Sequence, residues 1–259
     1  MEKKEKEQKL KIKNILVSQP QPVDFEKSPF YEIAKKFNLN FEFNKFIKIE
    51  GITSSDFRKD YKISILDHTA VIFNSKNAVD HFFRLCKEMR VDIPDSMKYF
   101  CISESTAYYL QKYVQFRKRK IFHGKEDLNQ LIEIIKKHKE EKFLFPCSDI
   151  HKDKLPQLLD ESEIKYTKAV MYRTIASDLS GVNIYQYDML IFFSPAGIDS
   201  LFSNFPNFKQ GNIIIAAMGP TTSKAVKDSG LTLNITAPTK TAPSISMAIE
   251  EYFQKLNKK

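Results

Sequence analysis

Apolar and polar residues along this chain switch almost without interruption between a strand period and a helix period. Short apolar runs at 14–18, 70–74, 99–102, 120–122, 142–146, 189–193, 212–218 and 232–236 predict strands. Amphipathic stretches at 53–65, 77–90, 105–113, 125–139, 154–162, 197–205, 221–229 and 244–256 predict the helices between them. Another helix is expected after Ser28-Pro29, with Ser28 as N-cap, Pro29 in the first helical position, and Tyr31, Ile33, Ala34 and Phe37 as the buried stripe. Residues 40–52 alternate into one extended segment ending at Gly51, and 165–174 form a second. Alternation of this kind predicts α/β architecture, with parallel strands, helices on both faces and right-handed crossovers.

A duplication sharpens that picture. The run from Val71 to Phe83 (VIFNSKNAVDHFF) lies without a gap over the run from Leu190 to Phe202 (LIFFSPAGIDSLF), with Ile, Phe, Ser, Asp and Phe matching in place. Some way on, Ser103-Glu104-Ser105-Thr106-Ala107 answers Gly219-Pro220-Thr221-Thr222-Ser223, again between a short strand and a helix. The chain is therefore read as two related, flavodoxin-like α/β domains facing a shared ligand cleft. The middle copy has four strands and can close its own sheet. The C-terminal copy has three, and the first 50 residues are too few for a core of their own. The economical arrangement is a discontinuous domain of residues 1–48 plus 174–259, into which a domain of residues 53–166 is inserted. The chain would cross between them at 46–52 and 168–175, in extended segments without a Gly/Ser-rich composition.

Composition narrows the function classes. At 42% apolar residues, with 21 Phe and 11 Tyr, the chain is globular rather than disordered. No apolar run approaches the roughly 20 residues that span a bilayer, and the Lys/Glu-rich start has no signal-peptide core. Cys86, Cys101 and Cys147 show neither a metal spacing nor a disulfide framework, which suits a reducing cytoplasm. His68, His81, His123, His138 and His151 have no zinc-site spacing, and GxGxxG, GxxxxGK[ST] and GxSxG are absent, so no metal or nucleotide cofactor is expected. The net charge of +9 (41 basic, 32 acidic) is concentrated in the first 13 residues, with six Lys against three Glu, and in the tetrad Arg117-Lys118-Arg119-Lys120. Such charge suits nucleic acid, an anionic metabolite or plain solubility.

The duplicated turns carry the candidate chemistry. Each lies where a parallel strand gives way to a helix, and ligands of open α/β sheets bind at that carboxyl edge. Backbone N–H groups and the helix dipole favour carboxylates or phosphates there. Ser75, Ser103, Ser105, Thr106, Ser194, Thr221 and Thr222 add hydroxyl donors, while Gly197 and Gly219 allow close approach to backbone. Any one of these could be only a helix cap. Four such turns together point to a grip on a multiply anionic ligand. Tyr172, in the second crossing (Val170-Met171-Tyr172-Arg173-Thr174), either points into the interdomain space or packs as a buried tyrosine.

These residues resemble the uroporphyrinogen-III synthase family over nearly the whole chain. The likeness rests on Ile15-Leu16-Val17-Ser18-Gln19-Pro20, Phe73-Asn74-Ser75-Lys76-Asn77-Ala78-Val79, Phe145-Pro146-Cys147-Ser148-Asp149, Val170-Met171-Tyr172-Arg173-Thr174, Phe192-Phe193-Ser194-Pro195-Ala196-Gly197 and Met218-Gly219-Pro220-Thr221-Thr222. Their order and spacing carry it, not any one motif. Where the family's first strand commonly ends Thr-Arg-Pro, this chain has Ser18-Gln19-Pro20, and Ser103-Glu104 stands where a glycine is usual.

The resemblance implies two α/β domains, one inserted in the other and joined by a two-stranded linker. It also implies a cofactor-free lyase of haem and tetrapyrrole biosynthesis, in which the linear hydroxymethylbilane is closed with inversion of ring D and loss of water. By the same likeness Tyr172 is the catalytic candidate. Ser18, Asn74, Ser75, Ser103, Ser105, Thr106, Ser194, Pro195, Ala196, Gly197, Gly219, Thr221 and Thr222 become the substrate-binding candidates. A cytoplasmic monomer is expected, with no membrane or nucleic-acid partner. A non-catalytic binder of an acidic metabolite and a nucleic-acid binder are the rival readings.

Overall fold

The computed structural model describes residues 12–124, 128–149 and 154–257. The charged start of the chain, the first turn expected of the 125–139 helix, and His151 lie outside the described residues. The chain divides into two compact units, one made of Met1–Lys48 with Ile175–Lys259 and the other of Ile49–Thr174.

The discontinuous unit holds a five-stranded sheet. Its elements are β1 (Asn14–Val17), α1 (Pro29–Phe37) and β2 (Asn40–Phe43) before the insertion. The middle unit follows with β3 (Ile47–Gly51), α2 (Ser54–Tyr61), β4 (Ala70–Phe73), α3 (Lys76–Met89), β5 (Lys98–Cys101), α4 (Glu104–Tyr109) and β6 (Ile121–His123). It continues through α5 (Leu128–Lys136), β7 (Phe143–Ser148), α6 (Lys154–Glu161) and β8 (Tyr166–Ala176). The chain then returns through β9 (Met189–Phe192), α7 (Pro195–Asn204), β10 (Ile214–Met218), α8 (Pro220–Asp228), β11 (Ile235–Ala237) and α9 (Ile245–Asn257).

The first sheet runs β11-β10-β9-β1-β2, with every pairing parallel. Its central strands are apolar at consecutive positions because both faces are covered. Ile15, Val17, Met189 and Ile191 face one core with Ile33 of α1 and Ile249 and Phe253 of α9. Leu16, Leu190 and Phe192 face the other with Ile198 and Leu201 of α7 and Val226 of α8. The second sheet runs β3-β8-β7-β4-β5-β6, and β8, β7, β4, β5 and β6 pair in parallel. Among the described residues a core of 33 buried side chains surrounds it, including Phe57, Phe73, Phe82, Phe100, Phe143 and Phe145. The α/β class with two parallel sheets is thus as the alternation predicts.

Three local expectations are corrected. Residues 40–52 are not one extended segment but two strands of different sheets, broken around Phe46, whose side chain is buried and whose carbonyl accepts from the Ser177 N–H. Ser28 does not cap α1 with its side chain: its hydroxyl instead donates to the Phe25 carbonyl (2.7 Å), closing the preceding turn. In the stripe of α1 only Ile33 is fully buried; Phe30 and Phe37 pack beside it, while Tyr31 turns to meet the edge of Phe25.

Candidate functional site

In each sheet the strand order reverses once, and the carboxyl ends flanking a reversal form a natural crevice. In the discontinuous unit the reversal falls between β1 and β9. Ser18 follows β1, with its N–H on the Ile191 carbonyl (3.0 Å), and Ser194 follows β9. Ser194 caps α7 by accepting from the Gly197 N–H (3.3 Å), with Pro195 at the first helical position. A Cβ at Gly197 would lie 3.8 Å from the hydroxyls of both Ser18 and Ser194, so these three residues share one spot. Ala196 lies half-buried in the same turn. The neighbouring β10 ends at Gly219, whose φ of 90° lies in the region that favours glycine. Thr221 is exposed in the first turn of α8, whereas Thr222 is buried.

In the middle unit the reversal falls between β4 and β7. Ser75 follows β4, caps α3 by accepting from the Ala78 N–H (3.1 Å), and lies within 3.2 Å of the Tyr172 hydroxyl on β8. Asn74, just before it, is half-buried. One strand further out, Ser103 caps α4 through the Thr106 N–H (3.3 Å) and reaches the hydroxyls of Ser105 and Thr106, each at 3.1 Å. Ser105 is exposed and Thr106 is buried.

Of the two readings of Tyr172, the buried one holds. The residue is 5% exposed, and its ring stacks on His81 with centroids 4.9 Å apart and planes 18° apart. A register shift adjoins it. Cys147 of β7 pairs with Val170, but Ser148 pairs with Tyr172, so Met171 is an extra residue in β8. A bulge of this kind re-aims the side chain beside it, and Val170, Met171 and Tyr172 are all buried in succession. Sequence periodicity cannot see a one-residue bulge.

Asp80 of α3 ties that helix to the C-terminal end of α4 and the turn after it. Its carboxylate accepts from the hydroxyls of Tyr109 (2.8 and 2.9 Å) and Tyr113 (2.5 Å) and from the Lys112 ammonium (3.2 Å). Burial by itself would raise the Asp80 pKa. The hydrogen bonds from Tyr113, Tyr109 and Lys112 outweigh it and hold the carboxyl below its ordinary value. A depressed folded-state pKa contributes stability that is present above the unfolded value and lost as pH falls through the folded one. Asp80→Asn is therefore expected to cost about 1–2 kcal/mol near neutrality, since the group is partly solvated. The gap should close as the solution is acidified below about pH 4. Thermal melts of both proteins from pH 3 to 7 check it; parallel curves would show that Asp80 is not the titrating group.

Other candidates fall away from this edge. The tetrad Arg117–Lys120 forms the turn that enters β6, on the amino side of the strands, with Arg117 3.7 Å from Asp95. All three cysteines are buried, and burial pushes the thiols of Cys86 and Cys101 up to about 12, away from thiolate chemistry. Side-chain atoms of His138, Glu140 and Glu141 lie within 4.8 Å of one another, but Glu141 already pairs with Lys98 at 2.5 Å. Among the described residues no helix is long and apolar enough to cross a membrane. Sequence reasoning missed His81, Arg84 and Gly51, which surround Tyr172 and its strand. The one available signal was that His81 takes the place of Ser200 within the duplicated run.

The sequence matches the family model described as uroporphyrinogen-III synthase HemD over residues 46–246. Two crystal structures share the fold. Uroporphyrinogen-III synthetase from Helicobacter pylori is 18% identical with a TM-score of 0.59, the alignment covering 94% of this chain and 100% of that one. A mutant uroporphyrinogen III synthase from the extreme thermophile Thermus thermophilus is 12% identical with a TM-score of 0.51, covering 95% and 100%. No curated protein is matched by the sequence.

Proposed function

The chain belongs to the uroporphyrinogen-III synthase family, and on that premise we propose how its residues perform the family's reaction. That reaction is the cyclisation of hydroxymethylbilane with inversion of ring D and loss of water, a lyase step of tetrapyrrole biosynthesis. Closure without inversion occurs spontaneously, so the protein's task is chiefly geometric: it must bring the substituted carbon of ring D to the activated methylene of ring A. Holding two reacting centres in place is itself a large source of rate.

The substrate carries eight carboxylates. In this proposal each unit offers its own grip for such carboxylates, the hydroxyls and helix N-termini at its switch point: Ser18, Ser194–Gly197, Gly219 and Thr221–Thr222 in the discontinuous unit, and Asn74, Ser75, Ser103, Ser105 and Thr106 in the middle unit. Tyr172 is the donor to the departing hydroxyl, which leaves as water while the new carbon–carbon bond forms. The observation that carries this assignment is the 3.2 Å contact between the Tyr172 hydroxyl and Ser75. It puts the phenol beside a helix N-terminus where an anionic substrate would be held.

Incubation with hydroxymethylbilane, followed by oxidation and separation of the I and III uroporphyrin isomers, tests the function. The III isomer is expected to dominate. Isomer I alone, at the spontaneous rate, would overturn the reading.

A further inference from the structure

We infer that Arg84 is a positioning residue for Tyr172, holding it both through its backbone and through the face of its ring. The inference rests on Tyr172 being the donor proposed above.

Arg84 lies on α3 and uses three nitrogens in three directions. Nη2 donates to the carbonyls of Ile52 (2.8 Å) and Met171 (3.3 Å), Nε donates to Nδ1 of His81 (3.2 Å), and Nη1 pairs with Glu88 (2.6 Å). Met171 is the bulged residue that re-aims Tyr172, and its carbonyl also accepts from the Ile52 N–H (3.0 Å). The guanidinium thus ties together the two strands beside the bulge. A bulge leaves a residue outside the regular ladder, and it keeps its shape only where other contacts determine it.

The second path runs through His81. A guanidinium N–H can only donate, so Nδ1 must be the acceptor and the imidazole proton sits on Nε2. Burial, and then the Arg84 cation, hold the His81 pKa below the ordinary histidine value, so the ring stays neutral. That fixed, neutral ring is the one stacked on Tyr172. With Ser75 on the phenol oxygen, the tyrosine is held at backbone, face and tip.

Gly51 fits the same account. A Cβ there would meet the Arg84 guanidinium at 2.7 Å. The three nearest atoms all belong to the far end of that flexible side chain, so alanine would displace the guanidinium.

The test uses the full chain with hydroxymethylbilane as substrate. Arg84→Met and Gly51→Ala are each expected to lower kcat for the III isomer by about tenfold or more, with KM changed by less than about twofold. The three N–H donors of lysine all sit on one nitrogen and cannot span acceptors that Arg84 reaches from three, so Arg84→Lys should not rescue; full rescue would mean that charge alone matters and would overturn the inference. In a Tyr172→Phe background Arg84→Met should add no further loss, because both act through one group. Losses that simply multiply would overturn it. A readout independent of turnover is the ring-proton NMR signal of Tyr172, identified by its disappearance in Tyr172→Phe. It should move downfield in Arg84→Met and Gly51→Ala as the histidine stack loosens, and an unmoved signal refutes the contact. Should Tyr172→Phe retain full activity, the donor assignment falls and the inferred catalytic role falls with it. The NMR result then still reports whether Arg84 holds the ring. If Arg84→Met fails to fold, Gly51→Ala gives the same readings with the arginine in place.

Discussion

Tyr172→Phe is expected to fold normally and to form uroporphyrinogen III on the order of a hundredfold more slowly, the usual worth of a positioned proton donor. The substitution removes one oxygen and leaves the ring. The stack on His81 and the burial within β8 need only the ring, so the melting temperature should hold. What is lost is the hydroxyl that lies 3.2 Å from Ser75. Because closure without inversion proceeds unaided, the lost product should reappear as isomer I. This pairing of a slower III isomer with a rising I isomer separates a catalytic loss from a loss of substrate. A variant that melts like the parent and makes isomer III at the parent's rate would remove Tyr172 from the chemistry. A variant that melts far lower would show that the phenol is structural. Ser75→Ala is the natural companion, since it takes away the tyrosine's partner together with the α3 cap, worth about 1 kcal/mol.

The elements were legible in the sequence because both sheets are covered on both faces, so their strands are short apolar runs that contrast with amphipathic helices. The gapless match of the runs beginning at Val71 and Leu190 pointed to equivalent turns, and Ser75 and Ser194 do cap equivalent helices, α3 and α7. The surroundings of Tyr172 were not legible. A bulge at Met171 changes which way every later side chain faces, and nothing in the local pattern Val170-Met171-Tyr172-Arg173 announces it. Nor was the break at Phe46, where a continuous alternation hides a change of sheet. The burial of Ser18 and Thr106 was not legible either, because it is set by neighbours far along the chain, such as Ile191 beside Ser18. Distant partners are what a single sequence conceals.

The two copies solve one problem in different ways, and the difference yields a second large effect. In the middle unit the Met171 carbonyl accepts from a backbone N–H, that of Ile52, and from Arg84 on α3. In the discontinuous unit the Phe46 carbonyl accepts from the Ser177 N–H and from the hydroxyl of Ser200 on α7. Ser200 stands in its copy where His81 stands in the other. It is supported by Asn204, whose amide donates to the carbonyls of Ser177 and Ser200 and accepts from the Leu179 N–H, each at 2.9 Å. Asn204→Ala would strip a partner from three backbone groups at once, at roughly 1–3 kcal/mol for each that water cannot reach. Since Asn204 is only part-buried, water can recover some of this, and a net loss of about 2–3 kcal/mol is expected. In a protein of this size that lowers the melting temperature by roughly 5–10 °C. Unlike Arg84→Met, the substitution touches no residue around Tyr172, so the rate per folded molecule should be unchanged. A melting temperature within about 1 °C of the parent would show that these bonds are replaced by water at no net cost. A lower rate at full stability would mean that α7 of the discontinuous unit, and not α3 alone, positions the reacting groups.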